Sequence, residues 1–149
     1  MSNMASPIQQ RVLGVLQGDW AEYIQAYRSL SAEAQSAFLR QQGYVRFVDL
    51  LAHIVAWWKV CLQAVEQYMA DPAAQPMEYD VDTFNAAAVA AVSQLDEEQG
   101  IDSFEKMRGF MIDFVKGLPD TAFENERVVN QLEMDLVGHL GEHTIVKED

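Results

Sequence analysis

VRFVDLLAHIVAWWKVCLQAVEQYM, residues 45–69, decides the fold. Wound as an α-helix, this stretch is apolar on almost every side, and such a helix belongs at the centre of a larger helical core. Lys59, Gln63, Glu66 and Gln67 mark its narrow solvent stripe, and His53 falls near the border of that stripe. A half-exposed imidazole at a core boundary is the ordinary outcome at such a position. The longest apolar run, LLAHIVAWWKVCL, contains a His and a Lys and is too short to cross a bilayer.

A central helix needs neighbours, and the flanking sequence supplies them. Ile8, Val12, Val15, Leu16, Trp20, Tyr23, Ile24 and Tyr27 recur at steps of three and four, predicting a first helix over residues 7–27. Pro7 suits its first turn. SAEAQSAFLRQQ predicts a short extra helix, with Ser31 as N-cap and Gly43 as its end. After the central helix, ADPAAQPMEYDVDT holds Pro72 and Pro76 and is longer than a tight antiparallel turn needs. A third helical region opens near Asp82 or Thr83, with a bend expected at Gly100, and resumes through SFEKMRGFMIDFVKGL until Gly117 and Pro119 stop it. The last helix covers residues 125–146. No period-two strand pattern, repeat or low-complexity linker is evident. The expected fold is all-α: a four-helix bundle with long connections, plus a short extra helix between helices 1 and 2, in a single domain of residues 1–149.

Composition narrows the function. The formal charge of −13 speaks against a nucleic-acid backbone or an anionic membrane surface as partner. The single cysteine, Cys61, excludes an internal disulfide. MSNMASPIQQRVLG has no basic segment followed by an apolar one, so no signal peptide is expected and the expected location is cytoplasmic.

The last helix carries a feature that a dry core does not explain. In DLVGHLGEHTIV, His139 and His143 stand four residues apart. At about 100° per residue with Val128 as origin, they fall near 20° and 60°, inside the apolar arc of Leu132, Leu136, Leu140 and Val146. Asp135 and Glu142 fall on the shoulder at about 340° and 320°. Buried imidazoles need partners. A metal ion supplies one by taking a ring nitrogen from each, and the i,i+4 spacing suits two ligands on one cation. A hydrogen-bonded core pair is the competing reading. The one other histidine is His53, on the central helix.

Three pieces of this chain, in order, resemble the DinB/YfiT-like superfamily of metal-dependent helical bundles: VDLLAHIVAWW, DVDTFNAAAVA after a proline-containing loop, and HLGEH near the end of the last helix. The resemblance implies a four-helix bundle with long crossover connections whose metal ligands are His53, His139 and His143. It further implies enzymes that include transferases and isomerases dependent on low-molecular-weight thiols. The family often carries a Trp shortly before its first His segment, where this chain has Tyr44.

Other motifs are weaker. HLGEH also fits the H-x-x-E-H protease pattern, but that site needs an acidic ligand well downstream and only six residues follow His143. Glu142 is expected to be solvated. Asp49 and Asp135 each precede a histidine by one turn and could accept a hydrogen bond from it, although an exposed helix acid is the commoner case. Cys61 lies about 12 Å along the axis from His53, too far to share its metal, and reads as a buried structural thiol. Trp57 and Trp58 read as core or pocket wall. Gly138 and Gly141 either allow close helix approach or are merely tolerated.

Three protein ligands leave positions open for water or substrate, as in catalytic zinc sites. The expected function is therefore a divalent-metal-dependent enzyme, with Zn or Ni at the three histidines. It would act on a small molecule by hydrolysis or by thiol-dependent transfer. The alternative is a non-catalytic bundle that serves as a binding or interaction module, since no clear acid or base stands beside the histidines. A homodimer is compatible with an apolar bundle of this size, although no dimer seam is legible.

Overall fold

The computed structural model describes residues 6–145. The start of the segment read for a leader, and Val146, placed in the apolar arc, lie outside the described residues. At the centre stands α4 (Phe47–Ala70), whose buried face runs from Phe47 through Leu50, Ile54, Trp58, Cys61 and Val65 to Tyr68. It begins two residues later than expected because Arg46 and Asp49 form a reciprocal cap around Phe47. Val45 is left outside the helix and solvent-exposed. By length and composition α4 could cross a membrane, and it is longer than the run LLAHIVAWWKVCL suggests; more than half of it is buried against other helices.

The first predicted helix is broken. It comprises α1 (Pro7–Gly14), a π turn at Val15–Asp19, and α2 (Tyr23–Arg28). α3 (Ala32–Gln42) follows as expected. The Ser31 hydroxyl accepts the Ala34 N–H at 3.1 Å, and Gly43, at φ 85°, takes the left-handed conformation that ends the helix.

The third predicted helix is two helices, α5 (Val81–Ala91) and α6 (Glu97–Lys116). The break comes at residues 92–96 and not at Gly100, because Asp96 and Gln99 form a capping box that starts a new helix. Gly100 instead lies inside α6, where a Cβ would stand 2.2 Å from Val48 Cγ2. Glycine is what lets α6 approach α4 this closely. Arg46 reaches across to the carbonyls of Val92 and Leu95 and so caps the C-terminus of α5.

A 3₁₀ turn at Asp120–Glu124 leads to α7 (Glu126–Leu132), a second π turn at Glu133–Gly138, and α8 (His139–Glu142). α4 packs against α5, α6 and α7, while α1 packs against α6 and the second π turn; the two π turns also meet. Among the described residues every regular element is helical. One contiguous apolar cluster joins all of them except α5, which buries no residue. At its heart Trp20 meets Trp58 edge-on at 5.2 Å, Trp58 meets Phe104 at 5.3 Å, and Tyr27 stacks on Phe47 at 3.7 Å.

Candidate metal centre

α4 and the segment around α8 bring His53, His139 and His143 together. All three are buried, at 8, 7 and 6% exposure, so His53 faces the interior and not the edge of the solvent stripe. His53 Nε2 lies 3.1 Å from His143 Nε2 and 3.2 Å from His139 Nε2. The ring planes are steeply inclined, by 74° and 82° from His53 to the other two, so ring edges converge on one point.

The outward nitrogens explain the inward ones. His53 Nδ1 stands 2.9 Å from Asn85 Oδ1, and Trp57 Nε1–H donates to the same oxygen at 2.8 Å. His143 Nδ1 stands 2.5 Å from Gln42 Oε1. A carbonyl oxygen only accepts, so Nδ1 carries the proton in both rings. Both Nε2 atoms are then bare lone pairs, facing each other with no proton between them. Protonating them is opposed. Burial, then the neighbouring imidazoles, lowers His139 to about 3, and burial, then His53, lowers His143 to about 4. Burial lowers His53 too, against the Asn85 hydrogen bond and the charge of Glu142. Three neutral imidazoles with converging lone pairs suit a cation. Two nitrogens each ~2.0–2.1 Å from a tetrahedral zinc stand ~3.3 Å apart, close to the separations here. The three side chains can hold a metal ion.

The backbone that carries His139 and His143 is clamped from the first helical segment. Trp20 Nε1–H donates to the Leu136 carbonyl at 2.9 Å, inside the π turn, and the Tyr23 hydroxyl donates to the His143 carbonyl at 2.8 Å. The π turn adds a residue to one turn and rotates the residues beyond it by about 100° relative to an unbroken helix. The simple wheel misplaces two residues at and beyond it, since Asp135, expected on the shoulder, is buried beside Leu136 and Leu140 is only half-buried, while His139 and His143 are buried as expected.

Neither aspartate serves a ligand histidine through its carboxylate. Asp49 is buried, and its carboxylate is taken by Arg46 at 2.8 Å. Asp135 accepts from the Gln131 amide at 2.5 Å, while the Cys61 thiol, beside it, donates to the Gln131 carbonyl at 3.9 Å. It is the Asp135 backbone carbonyl that favours a proton on His139, whose buried Nδ1 makes no hydrogen bond of normal geometry. Burial raises Asp135 to about 6, and raises the Cys61 thiol as well. Glu142 is exposed, and Cys61 is buried, as expected. No close helix approach occurs at Gly138 or Gly141: a Cβ would meet only a carbonyl of the same chain segment at the first and nothing at the second.

Gln42, Asn85 and Tyr44 were not legible as site residues. Asn85, a poor helix former in mid-helix, carried a faint signal. Gln42, at the end of α3, carried none. Tyr44 packs its ring 5.4 Å from that of His53. Gln42, Tyr44, Asp49 and Asn85 also line an open cleft of 450 Å³ against the histidines' outer partners. Comparison with family models, with characterised proteins and with solved structures gives no match to this chain.

Proposed function

We propose that this chain is a divalent-metal-dependent enzyme of the DinB/YfiT-like superfamily. In this proposal it is a single-domain four-helix bundle with long crossover connections, whose His53, His139 and His143 hold one Zn²⁺ or Ni²⁺. The family assignment rests on the order of VDLLAHIVAWW, DVDTFNAAAVA and HLGEH along the chain. The metal assignment rests on one observation. Asn85 and Gln42 each fix a proton on an outward nitrogen, so that bare inward lone pairs meet at 3.1 Å.

When bound, such an ion supplies Lewis acidity toward water, a thiolate or a carbonyl. The chain's own residues do the rest. Asn85 and Gln42 orient the ligand rings. Burial keeps all three imidazoles neutral and ready to donate their lone pairs. Tyr44 lines the cleft with a hydroxyl that burial, then Asp49, holds in its protonated, donating form. The substrate in this proposal is a small molecule, and hydrolysis or transfer involving a low-molecular-weight thiol is the reaction class.

The test is elemental analysis of protein purified without a polyhistidine tag, beside the His139→Ala/His143→Ala variant. About one equivalent of divalent metal in the parent and none in the variant is expected. No metal in either, even with excess Zn²⁺ or Ni²⁺, would return the chain to the reading of a non-catalytic binding module.

A further inference from the structure

α4, the 71–80 connection and the second π turn enclose a second pocket, of 240 Å³. Its walls carry aromatic and thioether side chains beside the amides of Gln63, Gln67 and Gln131. Trp57 and Tyr68 come from α4, Met77 and Tyr79 from the connection, and Met134 from the π turn, with Asp135 among them. Met77 and Met134 are 65 and 61% exposed, far more than methionines that only fill a core. The connection is pinned in place. Arg127 donates to the Pro72 carbonyl at 2.8 Å, and Tyr79 meets Trp57 edge-on at 5.6 Å.

Asp135 is the one carboxylate in that wall. It is buried, and neither its partner, the Gln131 amide, nor the nearby Cys61 thiol carries a positive charge. Among the described residues no Lys or Arg forms an ion pair with it. Buried carboxylates ordinarily have a cationic partner, because an uncompensated charge in an apolar setting is costly. Aromatic faces attract cations as well, and Arg127 already stacks its guanidinium 4.0 Å from the Tyr68 ring. Methionine side chains add adaptable apolar contact. The charge of −13 draws cations toward the whole surface.

We propose that this pocket binds a small organic ammonium ion, a primary or methylated amine on an apolar body, with the charge against Asp135 and the body against Trp57 and Tyr79. A neutral ligand would leave the carboxylate uncompensated, and an anionic one would be repelled. The site does not depend on metal at the three histidines.

The test is calorimetric titration at neutral pH with 2-phenylethylamine, which is charged, and 2-phenylethanol, its neutral analogue of similar size. Protein as purified and protein treated with chelator are both used. The amine is expected to bind about tenfold or more tightly than the alcohol, equally with and without chelation. Asp135→Asn, checked for folding by thermal unfolding, should abolish that preference. Tyr79→Ala, on the connection, should weaken both probes while the preference for the amine survives, which keeps the test decisive if Asp135→Asn does not fold. Equal binding of both probes to the parent, no binding of either, an unchanged amine affinity in a folded Asp135→Asn, or amine binding that chelation removes would each overturn the proposal.

Discussion

Two amide oxygens govern the chemistry of two of the three imidazoles. Without the Asn85 acceptor the His53 ring is free to move its proton to Nε2, and without Gln42 the same holds for His143. Asn85→Ala and Gln42→Ala should each weaken metal binding by ~10–100-fold while leaving all three ligands in place, measured by competition with a chromophoric chelator. The histidines also set an acid limit. In the folded, metal-free protein His139 and His143 titrate at about 3 and about 4, against 6.5 when unfolded. The unfolded chain therefore binds more protons in that window, so their contribution is full above pH 6.5 and is lost as pH falls toward 4 and 3. His53 is lowered too and acts in the same direction. Asp135 acts in the opposite direction: raised from 3.8 to about 6, it adds stability as pH falls through that interval and offsets part of the loss. Melting temperatures of chelator-treated protein should fall from about pH 7 to about pH 4.5, and His139→Gln/His143→Gln should flatten that slope.

At the scale of elements, the π turns, the caps and one glycine do the positioning. The Trp20 indole and the Tyr23 hydroxyl tie the first helical segment to the two ends of the one that bears His139 and His143. Trp20→Phe leaves the Leu136 carbonyl buried without that donor and should cost ~1–3 kcal/mol in denaturant unfolding. It should also weaken metal binding, although Trp20 touches no ligand ring. Gly100→Ala should destabilise by ~1–3 kcal/mol, because the new methyl meets Val48 Cγ2 at 2.2 Å where α6 crosses α4. An unfolding titration of that variant beside the parent reads the difference directly.

For the whole molecule, a metal that binds only the folded state links the site to global stability. Zn²⁺ or Ni²⁺ at about a hundredfold above its dissociation constant should stabilise by ~2.7 kcal/mol, visible as a rise in melting temperature. The His139→Ala/His143→Ala variant should show no such rise. The three histidines come from the middle of α4 and from the last turn, at residues 139–143, so an ion bound there would hold these two together and its loss should loosen α8 against α4 first. Hydrogen exchange with and without chelator would show this as faster exchange across those segments.

The sequence by itself determined the local matters: helices in their order, the Ser31 cap, the Gly43 stop, a central α4, and three histidines on two of those helices. These depend on contacts within about four residues, which composition and periodicity report directly. The Asp96–Gln99 cap was equally local and stood in the sequence unread. Tertiary structure alone decided which way His53 faces, since an imidazole at a stripe border turns inward only when something there receives it. The oxygen that receives its proton lies 32 residues away on Asn85, the two rings it faces lie 86 and 90 away, and the glutamine that holds His143 lies 101 away. The π turn, the rotation it imposes, and the Trp20 indole that meets it likewise arise from packing between segments. Their energy comes from partners distant in the chain, and no window of sequence contains both sides of such a contact.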